Sequence, residues 1–272
     1  MIKIPTLEEM LKAGLHFGHK LSRRYPKMNE YIFTSRNSVH IIDLEKTQEK
    51  LKEALEFLQE TASNGGTVLF IGTKPQALPI VEKYAKECGM PYINERWLGG
   101  TITNFSVVSK SIKKYNDLVE KQKTGELKKY TKREQVMFGK EIEDMARKVD
   151  GIKNLQKTPD ILFVLDIKNE KTAVTEAGKK NIPIVAVCDT NVNPDKVQYV
   201  IPANDDAISS IEMIVGLVAE AVKEGKANPS SLASTPAKAT EDKEKKEKKE
   251  VKEKTEKVEK KKEDKIQKDN KK

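Results

Sequence analysis

Few side chains in this chain of 272 residues have the type and spacing that chemistry needs. Its three histidines, His16, His19 and His40, all lie within the first 40 residues. A spacing of three would align His16 and His19 on one helix face, but Gly14 and Gly18 favour a turn there. Asp189 closes one apolar run, and Asp205 and Asp206 follow another. Carboxyl ends of parallel strands converge, so one of these histidines with two of these carboxylates forms either a small divalent-metal site or a hydrogen-bonded cluster. The loop Ile71–Gln76, IGTKPQ, leads from an apolar run towards a helical pattern, with Pro75 at its start. In such a loop Gly72, Thr73 and Lys74 suit a phosphate, of a nucleotide or equally of RNA. Lys74, Asp166 and Asp189 are polar groups an enzyme of this kind would use, yet no motif unites them. The patterns G-x-G-x-x-G, G-x-x-x-x-G-K-[ST], G-x-S-x-G and H-E-x-x-H are all absent from the sequence. Cys88 precedes Gly89 at a helix end and Cys188 lies inside an apolar run, so both read as small core residues.

The N-terminal segment has another character. Arg23, Arg24, Lys27 and Arg36 interleave with Tyr25, Tyr31 and Phe33. Cations for phosphates and rings for stacking are what an RNA surface requires. The alternative is a flanking extension whose rings dock on the neighbouring domain.

These residues must be positioned by something, and the apolar pattern says what. Strand-length runs occupy 67–71, 91–94, 160–166, 183–188 and 198–202, and three of them are apolar at consecutive positions. Such runs suit strands covered on both faces. Helical patterns at about 44–63, 75–88, 169–180 and 206–223 alternate with them. The alternation predicts a doubly wound α/β domain with a parallel sheet of about five strands. An insertion at 105–150 has no strand signal. Phe105, Val108, Ile112, Tyr115 and Leu118 recur at spacings of three and four, as do Phe138, Ile142, Met145 and Val149 after Gly125. Thr131 and Glu134 carry a capping-box signature. An antiparallel helical hairpin is expected, projecting as a lysine-rich interaction arm; the alternative is a lid packed on its own domain. Thr6 and Glu9 cap a short helix ending at Gly14.

The expected organisation is therefore an N-terminal extension with a short helix (1–43), the α/β domain (44–104 and 151–227), the hairpin (105–150) and a tail (228–272). Lys and Arg number 51 against 42 Asp and Glu, a formal charge of +9 that is compatible with a polyanionic partner. No stretch approaches the ~20 apolar residues of a membrane-spanning helix, and the N-terminus lacks a signal-peptide core, so a protein of the cytosol is expected. Two cysteines cannot make a disulfide framework or a zinc cluster of thiolates. Residues 241–272 hold 15 Lys and 11 acidic residues; so charged a segment cannot offset its own ordering entropy, and a disordered or transiently helical tail is expected.

Several motifs together resemble one family. Glu95–Phe105, ERWLGGTITNF, closely resembles the RWLGG-x-x-TN signature of the bacterial small-subunit ribosomal protein S2 family. Lys12–His19, Pro26–Met28, Tyr31–Phe33, Arg36 and Asn37, and His40–Thr47 match the same family. So do Pro159–Asp166, Glu170, Glu176, Asn181–Pro183, Asp189–Asn191, Pro194 and Asp195, and Ile201–Asp206. The resemblance runs in order over about residues 5 to 226 and leaves the tail outside. It implies a flavodoxin-like domain carrying a coiled-coil hairpin, non-catalytic, bound to ribosomal RNA at the head–body junction of the small subunit in the cytoplasm. It further implies neighbouring small-subunit proteins as partners, a docking role for ribosomal protein S1, and no membrane. The family requires no cofactor; its metal pocket matches His19, Asp189 and Asp205 here, for zinc or magnesium.

RNA contact is expected at Lys20, Arg23, Arg24, Lys27, Arg36, Lys74, Arg96 and Asn104, where arginines bind phosphate bidentately and lysines act as point charges. An enzyme lacks a uniting motif, and an adaptor would not need the aromatic-basic N-terminus. A free regulator of messenger RNA would stay in the soluble fraction when small subunits are pelleted from high salt. Truncation after Ala227 should leave the melting temperature and incorporation into the subunit unchanged; loss of either would show that the tail docks on the body.

Overall fold

The computed structural model describes residues 3–229. The tail expected from residue 228 onward lies outside the described residues from 230. Five strands, β4 (Val68–Ile71), β5 (Tyr92–Ile93), β6 (Ile161–Val164), β7 (Ile184–Cys188) and β8 (Tyr199–Pro202), form a parallel sheet in the order β5-β4-β6-β7-β8. This is the doubly wound, flavodoxin-like order, and its switch point lies between β4 and β6. Every residue of β4, β6 and β7 is buried, which is why their sequences are apolar at consecutive positions.

Alternate residues feed two core layers. Phe70, Phe163, Val185 and Ile201 face α2 (Leu44–Ser63), α3 (Leu78–Cys88) and α7 (Ile208–Ala227). Phe70 and Phe163, in register across β4 and β6, meet edge to face at 5.4 Å. Leu69, Leu162, Ala186 and Val200 face the other way, towards α6 (Lys171–Lys180), Trp97, Met28 and the feet of the inserted helices. Helix α2 starts where Asp43 accepts from the Glu45 amide and buries Leu51, Ala54, Leu55 and Leu58. Helix α3 begins at Leu78 rather than at residue 75, because Lys74–Ala77 form a turn that aims Lys74 elsewhere.

The insertion folds as two helices, α4 (Phe105–Lys123) and α5 (Lys132–Val149), reversed at Gly125 with φ 76°. Thr131 and Glu134 form the expected capping box. The two run antiparallel: Lys114 pairs with Glu141 at 2.5 Å, and the Tyr115 hydroxyl donates to Asp150 at 3.0 Å. Their buried stripe, Val108, Ile112, Tyr115, Leu118 and Ile142, runs on into the second core layer.

The first 43 residues depart from expectation. Beyond helix α1 (Leu7–Lys12), capped by Thr6 and Glu9, they form a three-stranded antiparallel sheet. Strand β3 (Val39–Ile42) lies between β1 (Phe17–Lys20) and β2 (Ile32–Arg36). Strands of four or five residues, interrupted by 3-10 turns at Leu21–Arg23 and Pro26–Tyr31, leave too little alternation to read from sequence. Asn37 and Ser38, both at positive φ, make the tight turn between β2 and β3.

Helices α2 and α7 meet so closely that a Cβ on Gly225 would collide with the Gln59 carbonyl and lie 2.8 Å from the Ala62 methyl. Gly225→Ala should therefore cost about 1–3 kcal/mol in urea unfolding; an unchanged midpoint would mean that the helices separate without penalty.

Candidate nucleic-acid interface and strand-end cluster

The N-terminal sheet is fastened across the carboxyl ends of β7 and β8. Asn204 donates from its backbone to the Leu15 carbonyl at 3.1 Å and from Nδ2 to the Gly14 carbonyl at 3.2 Å. The Ser209 hydroxyl donates to the Ala13 carbonyl at 2.8 Å. Gly18 has to be glycine, since a Cβ there would stand 2.7 Å from the Thr190 methyl and 3.3 Å from Asp189 Oδ1. That close approach lets the His19 amide donate to Thr190 Oγ1 at 3.0 Å and its Nδ1 to Asp189 Oδ2 at 2.7 Å. The bond to Asp189 raises the His19 pKa against the effect of burial, with Asp205 and Asp206 adding to the rise.

The sheet thus has two faces. His40 and Ile42 are buried on the inner one; the opposite face of β3 carries Val39 and Ile41. Val39 is in register with Lys20 on one side and Arg36 on the other. Directly opposed residues of antiparallel strands share a face, so Lys20 and Arg36 stand in one row, both exposed. Arg23, Arg24 and Lys27 are exposed on the 3-10 turns alongside, Lys27 paired with Asp195. Of the three rings expected to stack, Tyr25 and Tyr31 pack against the second core layer. Only Phe33 stands out, 74% exposed, and Phe17 on β1, outside the expected set, joins it.

Lys74 is placed differently from the other cations of the expected RNA set. It is 13% exposed, and its ammonium lies 3.1 Å from Asp166, 2.9 Å from Asp205 and 2.8 Å from Asp206. Burial works against its charge, but the Asp205 and Asp206 carboxylates raise its pKa nonetheless. The charge of Lys74 is thus compensated inside the protein. Thr73 donates to Glu170 at 2.5 Å, where burial holds the carboxyl above its usual range against that bond. The loop 72–74 therefore faces carboxylates, where the sequence suggested a phosphate. The two contacts span from β4 to β6 and bridge the crevice in which doubly wound proteins bind ligands.

His19, Asp189, Asp205 and Asp206 offer ligand atoms all within 4.8 Å of one another. Burial pushes the Asp205 carboxyl up to about 7, Asp189 and Asp166 adding to the effect and Lys74 opposing it. Its Oδ1 lies 2.9 Å from the Lys74 ammonium and has no second partner. One imidazole with three carboxylates suits a divalent cation, and the cluster carries more negative than positive groups. The donor set fits; Asp206 belongs to it with His19, Asp189 and Asp205, and Lys74 competes for the same oxygens.

The last two expected RNA residues, Arg96 and Asn104, are exposed at the ends of a loop organised from beneath. Glu176 on α6, 6% exposed, accepts from Trp97 Nε1 at 3.1 Å, the Gly100 amide at 2.8 Å, and the Ile102 and Thr103 amides and the Thr103 hydroxyl at 3.1 Å each. Burial would raise its pKa, but these donors, the Gly100 amide foremost, hold it below the usual range. Trp97 is buried by this arrangement, in a structural rather than a stacking position.

The chain is thus a doubly wound α/β protein whose switch-point crevice is bridged by its own side chains and whose strand ends carry an exposed basic ribbon. The family model for Ribosomal protein S2 matches residues 10–225, and the chain belongs to that family of small-subunit ribosomal proteins. No helix among the described residues is long and apolar enough to cross a membrane.

Glu176→Ala strands several buried donors and should cost about 2–4 kcal/mol. The contribution of the ionised carboxylate is complete above the ordinary Glu value of about 4.3 and is lost as pH falls through the lowered folded value. Trp97, the sole tryptophan, reports on this contact. Its emission should hold steady from pH 7 down to about 4.3 and shift only below; a transition near neutrality would contradict the ionised clamp.

Proposed function

We propose that the chain is a non-catalytic structural component of the small subunit of the cytoplasmic ribosome, bound to ribosomal RNA at the head–body junction. The observation that carries this reading, beside the family, is the exposed row of Lys20 and Arg36 with Arg23, Arg24 and Lys27 beside it. Arg96 and Asn104, on the loop held by Glu176, supply a second contact; Lys74 is not part of the RNA set. Phosphates meet the arginines bidentately and the lysines as point charges. The helical pair is read as the family's coiled-coil arm, in contact with neighbouring subunit proteins, and ribosomal protein S1 docks on this chain where that protein is present. A magnesium or zinc ion at His19, Asp189, Asp205 and Asp206 would supply the positive charge that the cluster lacks and fasten β1 to the strand ends.

Arg23→Ala, Arg24→Ala and Arg36→Ala combined should weaken binding to small-subunit RNA and flatten its salt dependence by roughly 0.7–0.9 log units for each phosphate left without its cation. The triple variant should also wash off small subunits at high salt. Unchanged slope and retention would sink the assignment. Asp205→Asn should lower magnesium or zinc affinity in calorimetry by about tenfold or more; equal affinity would remove the ion from this site.

A further inference from the structure

The helical pair carries one face whose charge is opposite to that of the rest of the molecule. On α5, Glu134, Met137, Glu141 and Asp144 follow at spacings of three, four and three, so they share a face beside the stripe that packs on α4. Met137 is 62% exposed in the middle of it. With Phe138 and Met145 it lines a notch of about 440 Å³, rimmed by Glu134, Glu141 and Asp144 and by Lys140; Glu141 is already paired with Lys114 of α4, so Glu134 and Asp144 are the carboxylates left to a partner. Tyr130 closes over the Phe138 ring, edge to face at 5.2 Å.

The chain as a whole is +9, and α4 and the turn after it carry Lys110, Lys113, Lys121, Lys123, Lys128 and Lys129. Residues 134–145 instead hold Glu134, Glu141, Glu143 and Asp144 against the single Lys140. A phosphate backbone brought to this face would meet carboxylates, which disfavours RNA. A polarisable thioether over an apolar notch favours an apolar side chain, and methionine adapts to the shape it meets. The rim then selects the sign of the charges that accompany that side chain.

We propose that the Glu134–Met137–Glu141–Asp144 face of α5 is a docking surface for a basic polypeptide segment of another protein. One apolar side chain of that segment seats on Met137 and Phe138, and its Lys or Arg residues pair with Asp144 and Glu134, Glu141 being held by Lys114. This deepens the reading of the helical pair as a contact for other proteins by naming the face and the partner's chemistry, and it depends on residues outside the RNA set.

The test places a photo-crosslinker, Met137→p-benzoylphenylalanine, in the full-length chain, irradiates intact cells and identifies the adducts by peptide mass spectrometry. The expected result is a dominant adduct with a peptide of net positive charge from another protein. Asp144→Lys, or Asp144→Asn should that variant fail to fold, leaves the Lys114–Glu141 pair in place and is expected to lower its yield at least about tenfold at unchanged melting temperature. Adducts to RNA, to a second copy of this chain or to an acidic peptide would overturn the proposal, as would no adduct or a yield indifferent to charge reversal. Co-sedimentation with small subunits is scored separately. If it fails while the adduct persists, the ribosomal reading falls and the docking surface stands.

Discussion

Carboxylates outnumber cations where the parallel strands end, and much of the molecule is arranged around that imbalance. Asp166, Asp189, Asp205 and Asp206 converge there because each follows a strand of one sheet. Parallel topology brings those ends together whatever their charge. Buried carboxylates this close cannot all ionise without a counter-charge, and Asp205 shows the strain in a pKa pushed up to about 7. Two groups answer it: the Lys74 ammonium from the loop after β4 lies against Asp205, and His19 from the N-terminal sheet donates to Asp189. His19 reaches Asp189 only because Gly18 lets the backbone approach Thr190. The attachment of the basic ribbon and the pairing of the strand-end carboxylate Asp189 are thus one event.

A second buried carboxylate works by a different route. Glu176 needs no cation because five donors converge on it, four of them from the loop 100–103 and one from Trp97. The loop has no regular structure to satisfy its amides, so an anion from α6 does it instead. Lys74 and Thr73 close the crevice from one side of the switch point, while Glu176 fixes the loop that follows β5. In enzymes of this architecture the same loops stay open to hold a substrate. Here their polar groups are spent on each other.

What could be read from the sequence follows from how local each signal is. The central strands and α2 match within a residue or so, because burial on both faces leaves consecutive apolar residues and Asp43 marks a helix start. Both capping boxes are legible for the same reason. The N-terminal sheet is not, since β1 depends on a partner some distance along the chain and its attachment on Thr190 and Asn204 far beyond. Lys74 looks like a phosphate ligand because its loop has the right chemistry, and nothing local reveals that three carboxylates from later segments meet it. Of the metal-type cluster, Asp189, Asp205 and Asp206 are visible in the sequence as strand-end carboxylates and His19 as one of three histidines, while their convergence within 4.8 Å emerges only from the fold. Glu176 is visible only as part of a family pattern; its role depends on a loop more than seventy residues earlier.

The fastening of residues 13–19 to Thr190, Asn204 and Ser209 spans 171 to 196 positions along the chain. During synthesis the basic ribbon leaves the ribosome first, yet the surface that shapes it is made among the last of the described residues. Until then Lys20, Arg23, Arg24 and Arg36 belong to an unanchored cationic strand, attracted to any polyanion near the exit. Contacts of such high sequence separation form late and slowly. The basic stretch is therefore the last to acquire its shape, and a newly made chain is most exposed to mispairing with nucleic acid before residue 209 has emerged.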